Sequence, residues 1–164
     1  MGSTRRAVRD AAREHDVRYG SAKRLPFPDA SAEAIYSSHM LEHLSRAHAS
    51  QFLRECRRVL APGGIIRIAV PDLRAIVSEY EAGGHADRLI QRLLLADERR
   101  GVLRALRFTG HRWMYDQESL RRMITEAGFR RAVVLPAGST TIRRPGTLNL
   151  REREAESIYV EALR

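Results

Sequence analysis

The string H-x-x-E-H, formed by His39, Glu42 and His43, is the part of the sequence whose residue types and spacing most clearly suggest chemistry. On a helix, the two histidines would lie one turn apart on the same face, and the glutamate could polarise a water molecule. This is the zinc-ligand spacing of one class of metallopeptidases. The same residues can also stand where a strand ends and a helix has not yet begun, at the rim of a ligand pocket.

The elements around this string alternate between strands and helices, which indicates an α/β fold. Two of the strands are uniformly apolar, as is typical of a mostly parallel sheet with helices on both faces. A polar link is expected over residues 44–50, and Gly63 and Gly64 are expected to stop the following helix in a left-handed cap. The periodicity predicts helices over residues 5–15, 51–60, 73–80, 85–100 and 117–128, and strands over 16–22, 34–39, 65–70, 130–136 and 157–163.

This order of elements favours the pocket rim over the zinc site. The strand over residues 34–39 runs into His39, and the next clear helix begins only after Ser45. The H-x-x-E-H residues therefore lie at the carboxyl end of a strand, where ligands bind in such sheets. No third ligand is apparent on a neighbouring helix, so we expect no metal site and disfavour a zinc hydrolase.

Length, charge and cysteine content limit the class of protein. The 164 residues predict a single domain, 1–164, and no run of about 18 apolar residues suggests a membrane span. The charged start of the chain does not resemble a signal peptide, and the single cysteine, Cys56, fits a reducing cytoplasm. The net charge of +9 comes from arginines scattered among acidic residues, so we do not expect nucleic-acid binding.

Four segments together resemble a known family. These are LPFPDASAEAIYSSHMLEHL, FLRECRRVLAPGGIIRIAVPDL, HRWMYDQESLRRMITEAGF and ESIYVEAL, which occur in the family's order over residues 5–163. They are similar to the class I S-adenosylmethionine-dependent methyltransferases, and in particular to the methyltransferase-11-like group of bacterial enzymes. The resemblance implies a Rossmann-like sheet and methyl transfer from S-adenosylmethionine to an acceptor that the sequence does not identify.

The resemblance also implies roles for individual residues. The positions that match the cofactor site are Gly20, Ser21, Ala22, Leu25, Ser38, His39 and Met40. Those that match the acceptor side are Glu42, His43, Asp72, Trp113 and Tyr115. A general base, if the acceptor is protonated, could be His39, His43 or His111, because imidazole titrates near neutral pH.

Each of these residues also has a purely structural interpretation. Glu42 and His43 could satisfy backbone groups, and Asp72 could cap the helix that starts at Leu73. Trp113 and Tyr115 could pack at the edge of the core, where Leu25 is also expected. Cys56 lies on the apolar stripe of its helix and is predicted to be core.

Two features of the family are missing from this sequence: the Gly-rich turn after the first strand and the acid at the end of the second. In the family's strand order, 3-2-1-4-5-7-6, the absent strands lie between the third and the fourth. We therefore expect a truncated sheet that lacks its first two strands, and weak or absent cofactor binding. The strand over residues 34–39 would be an open edge, which favours a homo-oligomer or a partner chain that completes the sheet. The alternative function is a non-catalytic methyltransferase-fold module for oligomerisation or partner binding.

Overall fold

The computed structural model describes residues 20–94 and 110–164. The chain forms four strands, four α-helices and two short 3-10 helices in these parts. In order, they are β1 (Ala32–Ser38), a 3-10 turn (Leu41–His43), α1 (Arg46–Val59), β2 (Leu60–Pro71), α2 (Leu73–Glu81), α3 (Ala86–Leu94), α4 (Gln117–Glu126), β3 (Arg130–Leu135), a second 3-10 turn (Glu154–Glu156) and β4 (Ser157–Leu163).

The strands form one mixed sheet in the order β1-β2-β4-β3. β1 pairs with β2 in parallel, whereas β4 is antiparallel to both of its neighbours, β2 and β3. Three of the four strands therefore run in the same direction. The predicted α/β sheet is confirmed, and its strand order is that of the family's fourth, fifth, seventh and sixth strands.

The hydrophobic core lies between one face of the sheet and two helices. α1 packs against β2, and α4 packs against β3 and β4. Alternate residues of β2 point into this core, because successive side chains of a strand face opposite sides. The main core residues are Phe52, Leu53, Cys56, Ile66, Ile68, Val70, Leu120, Ile124, Ile158 and Val160. Cys56 is fully buried, as predicted, and burial raises the pKa of its thiol to about 12.

The other face of the sheet carries a buried ion pair between neighbouring strands. Arg67 of β2 lies opposite Glu161 of β4, and Arg67 Nη1 donates to Glu161 Oε1 at 2.8 Å. The loop over residues 136–153 covers this face, because backbone carbonyls of Ser139 and Leu150 accept hydrogen bonds from the Arg67 guanidinium. Polar contacts thus hold the loop to this face of the sheet, whereas the helices pack on the opposite face through apolar side chains.

The structure corrects two predicted boundaries on either side of α1. The helix begins at Arg46, not at residue 51, so the predicted polar link over residues 44–50 was wrong. Ser45 caps the helix through the backbone N–H of His48, and the buried Ala49 extends the apolar stripe by one turn. The helix then ends at Val59 and Leu60 enters β2 directly, so the predicted glycine cap was also wrong.

Residues 61–64 form an irregularity at the start of β2 instead of a helix cap. Ala32 pairs with Leu60, whereas Ala34 pairs with Ile65, so the residues between are looped out of the ladder. Gly63 has a φ of +76°, which a residue with a side chain adopts at a cost. A Cβ on Gly64 would stand 2.9 Å from the Ala61 carbonyl oxygen, so this position also requires glycine.

Several predicted elements lie wholly or partly outside the described residues. These are the helix over 5–15, most of the strand over 16–22, and the second half of the helix over 85–100. Gly20 to Ala22, the described end of that strand, form a turn with an isolated bridge between Ser21 and Arg24. Within residues 20–94 and 110–164, β1 pairs only with β2. No described helix combines the length and the apolar character that crossing a membrane requires.

Candidate active site

The H-x-x-E-H residues stand at the carboxyl end of β1, as the pattern of elements predicted. β1 ends at Ser38, and residues Leu41 to His43 form a single 3-10 turn before α1. His39 has a φ of +47°, an unusual conformation for a residue with a side chain, and its backbone N–H donates to the Ala69 carbonyl at 2.9 Å. Such strain persists only where the surroundings hold it, and it is common at functional sites.

Glu42 is the centre of this region. Its side chain is 1% exposed, and neither carboxylate oxygen has a hydrogen-bond partner in the described part of the chain. Its Oε1 lies 3.4 Å from His39 Nδ1, without hydrogen-bond geometry, and 3.9 Å from His43 Nε2. The backbone carbonyl of Glu42 accepts from the N–H groups of Arg112 and Trp113, which holds the loop after residue 110 against the 3-10 turn.

That loop brings His111 next to His43. The two imidazole rings are tilted, with centroids 5.1 Å apart. Ligand-capable atoms of Glu42, His43 and His111 all lie within 4.8 Å of one another, and we call these three residues the Glu42 cluster. Burial lowers the pKa of His111, and the neighbouring His43 adds to this, while the Glu42 carboxylate acts in the opposite direction.

A second feature, an open groove, runs along the outer edge of β1. Two adjoining cavities of about 470 Å³ and about 500 Å³ share Leu25, Phe27, Met40 and Phe52 as walls. We call them together the β1 groove. Gly20, Ser21 and Ala22 line one end, and Ser38 lines the other.

The structure thus brings together six of the seven residues predicted to contact the cofactor. Gly20, Ser21, Ala22, Leu25, Ser38 and Met40 all line the β1 groove. His39, the seventh, is not among the lining residues, and its Nε2 lies 3.0 Å from Ser157 Oγ. Met40 lines the groove while Glu42 stands two residues later, so the groove and the Glu42 cluster adjoin.

The residues predicted for the acceptor side have different environments. Trp113 is 44% exposed, and the Arg46 guanidinium lies over its ring at 5.2 Å. Tyr115 is fully buried, and burial raises the pKa of its hydroxyl to about 12. Asp72 caps α2 by accepting from the backbone N–H of Arg74 at 2.9 Å, which accounts for its position structurally.

Two polar residues near the site were not predicted from the sequence. Glu152 accepts a 2.6 Å hydrogen bond from Ser38 Oγ, and Arg46 lies over Trp113. Glu152 follows Ser38 by 114 residues and sits in an arginine-rich and glutamate-rich loop, so no local pattern distinguishes it.

Comparisons with known proteins support the fold and the family resemblance. A family model described as "Methyltransferase domain" matches residues 2–68. The chain is 32% identical over 120 residues to a ubiquinone/menaquinone biosynthesis C-methyltransferase of Caulobacter sp. strain K31, and the match covers 70% of this chain. It is 40% identical over 57 residues, 35% of its length, to a Mycolicibacterium smegmatis protein named "Probable S-adenosylmethionine-dependent methyltransferase". The crystal structure of a SAM-dependent methyltransferase from Thermotoga maritima superposes with a TM-score of 0.57 at 18% identity, covering 94% of this chain and 67% of that one.

In sequence over part of its length, and in fold, the chain resembles the class I S-adenosylmethionine-dependent methyltransferases. Its match spans 45% of the length of the Caulobacter relative and 21% of the Mycolicibacterium one. The family model covers all residues that line the β1 groove, and also Glu42 and His43. His111, Trp113 and Tyr115 lie beyond the matched residues.

Proposed function

We propose that this chain binds S-adenosylmethionine in the β1 groove and contributes to methyl transfer to an acceptor at the Glu42 cluster. The observation that carries the proposal is that six residues from two separate segments, 20–25 and 38–40, line one groove beside the glutamate and two histidines of the Glu42 cluster. The similarity to S-adenosylmethionine-dependent methyltransferases supports the same cofactor.

The lining of the groove fits a nucleoside with a sulfur-containing side chain. Leu25, Phe27 and Met40 provide apolar walls for a flat base, and the hydroxyl of Ser21 can hydrogen-bond to it. Gly20 packs closely on Pro26, since a Cβ there would stand 3.1 Å from the ring of Pro26. The hydroxyl of Ser38, oriented by Glu152, stands at the other end.

The bound cofactor would supply a methyl group on a sulfonium that is already electrophilic, so the protein has mainly to align the acceptor and exclude water. Trp113 and Arg46 form an exposed aromatic and cationic surface beside the Glu42 cluster, suited to covering an acceptor. His39, His43 and His111 are the imidazoles here, and we propose that, in the site without a metal ion, one of them takes the proton that a protonated acceptor gives up. The His43 side chain is 34% exposed, compared with 7% for His39, so His43 is the more accessible of these two.

The outer edge of β1 supports a proposal about assembly. Within the described residues this edge has no strand partner, and its backbone groups could pair with a second copy of the chain. We propose a homo-oligomer that forms at this edge. Sedimentation velocity should then give a mass above the 18.6 kDa of one chain, and a monomer at all concentrations would contradict this. The cytoplasm remains our proposed location, since the single cysteine suits a reducing compartment.

Calorimetric titration of the purified chain with S-adenosylhomocysteine tests the cofactor proposal. We expect weak but saturable binding at one site per chain, because the Gly-rich turn of the family is missing from the sequence. Met40→Ala should weaken it because Met40 lines both parts of the groove, whereas Val77→Ala, on an exposed position of α2, should not. A folded chain that binds neither S-adenosylhomocysteine nor S-adenosylmethionine would refute the proposal for this chain.

A further inference from the structure

The carboxylate of Glu42 has no partner that explains its burial. A buried charged group without hydrogen bonds is costly, and natural proteins pair such groups or use them to coordinate metal ions. Both oxygens of Glu42 lack a hydrogen-bond partner among the residues that the structure describes. The groups closest to them are imidazoles: those of His39, His43 and, within the cluster, His111.

The hydrogen bond of His43 leaves one of its ring nitrogens free for a ligand. His43 Nδ1 lies 3.3 Å from the Gly110 carbonyl oxygen, which can only accept, so Nδ1 carries the proton and Nε2 has the lone pair. This Nε2 is the atom that lies 3.9 Å from Glu42 Oε1.

His111 also has a ring nitrogen that could serve a ligand. Its Nδ1 is buried and has no hydrogen-bond partner among the described residues. Metal-binding histidines are commonly oriented by a carbonyl that accepts the proton of the other ring nitrogen, as the Gly110 carbonyl does for His43.

We propose that Glu42, His43 and His111 form a binding site for a divalent transition-metal ion, zinc in the first instance. One carboxylate oxygen and two imidazole nitrogens are a donor set that suits Zn²⁺ and other first-row ions, and three protein ligands leave a position open for water or another oxygen ligand. Ligand atoms lie about 2.0–2.2 Å from zinc, so two of them in a tetrahedral site are about 3.3–3.6 Å apart. The present spread of up to 4.8 Å therefore requires a closure of up to about 1.5 Å, which the partly exposed His43 can contribute to.

This site differs from the one that the H-x-x-E-H string suggests by itself. In that string the two histidines are the ligands and the glutamate acts on water. In the structure His39 Nε2 lies 3.0 Å from Ser157 Oγ and His39 Nδ1 lies 3.4 Å from Glu42 Oε1, but His39 is not part of the cluster, and the second imidazole comes from a loop distant in sequence. From the sequence we expected no metal, because no third ligand was apparent on a neighbouring helix; His111 supplies it from that loop.

Titration of tag-free, metal-free protein with Zn²⁺ in a calorimeter, together with the visible absorption spectrum of the Co²⁺ form, tests the site without any cofactor or acceptor. We expect one ion per chain. Removing a residue that only orients a ligand costs about 10- to 100-fold in affinity. Glu42→Gln and His111→Ala, which remove ligands, should cost at least that much and should change the Co²⁺ spectrum. His85→Ala, an exposed histidine outside the cluster, should change neither.

Far-UV circular dichroism of each variant separates loss of the site from loss of the fold. If Glu42→Gln does not fold, His43→Ala serves in its place, because that side chain is partly exposed and its removal leaves the core intact. A folded wild-type chain that binds no ion would overturn the proposal. The proposal would also be overturned if His111→Ala and one of the other two variants, Glu42→Gln or His43→Ala, folded and kept the wild-type affinity and spectrum. The ion would then be held elsewhere.

Discussion

Breaking the ion pair between Arg67 and Glu161 should destabilise the fold more than any change at the surface. Both side chains are essentially inaccessible, at 0% and 1% exposure. Glu161 also accepts hydrogen bonds from Thr140 Oγ1 at 2.6 Å and from the N–H and hydroxyl of Thr141 at 2.7 and 2.5 Å. Burial alone would raise the pKa of Glu161, but these bonds and that from Arg67 outweigh it, and the pKa is lowered.

Glu161→Ala leaves the Arg67 guanidinium buried with no counter-charge. Removal of one partner of a buried pair typically costs about 3–5 kcal/mol. We expect a loss of this size in the free energy of unfolding, because Thr140 and Thr141 lose their acceptor at the same time. The double variant Arg67→Leu, Glu161→Leu should lose less than the sum of the two single variants, since it leaves no unpaired charge.

Urea unfolding followed by far-UV circular dichroism measures these losses, with an unchanged m value as the sign that the unfolding remains two-state. Glu154→Ala is the matched control, because Arg151 and Glu154 form an ion pair with 63% and 52% exposure. Such exposed pairs contribute about 1 kcal/mol or less. A Glu161→Ala variant no less stable than Glu154→Ala would refute the assignment of the buried pair as a main support of the loop over residues 136–153.

Three further changes follow from the described contacts. The hydrogen bond from Arg58 lowers the pKa of Glu55 to about 2, so this carboxylate stabilises the fold above its ordinary pKa of 4.5. The contribution should fade as the pH drops from 4.5 to about 2, and Glu55→Gln should flatten that part of an acid-unfolding profile. Leu53→Ala empties a fully buried core position and should cost about 2–5 kcal/mol in urea unfolding, and a cost under 1 kcal/mol would show that the core collapses around the cavity. Asp116→Ala removes the capping box with Ser119 at the start of α4 and should cost about 1 kcal/mol, whereas Asp116→Asn should retain most of the stability; equal losses in the two would mean that the cap is not the cause.

Local patterns in the sequence were sufficient for most of the elements. The apolar stripe through Phe52 and Cys56 predicted a helix, and the run over residues 65–70 predicted the central strand, because the spacing of apolar residues reports directly which face is buried. The boundaries were less well predicted: Ser45 and Ala49 add a turn to α1 that looked like a polar link. The sequence also suggested that Asp72 could cap a helix, because its hydrogen bond reaches only two residues along the chain.

Contacts between distant parts of the chain were decided by the tertiary structure alone. The sequence by itself placed His39, Glu42 and His43 at the end of a strand, since that depends on residues a few positions away. It did not place Gly110 and the adjoining His111 against His43, 67 residues earlier, or Glu161 beside Arg67, 94 residues earlier. These pairs form because sheet register and loop packing bring the segments together, and a charged or imidazole side chain in a polar loop carries no local sign of its partner.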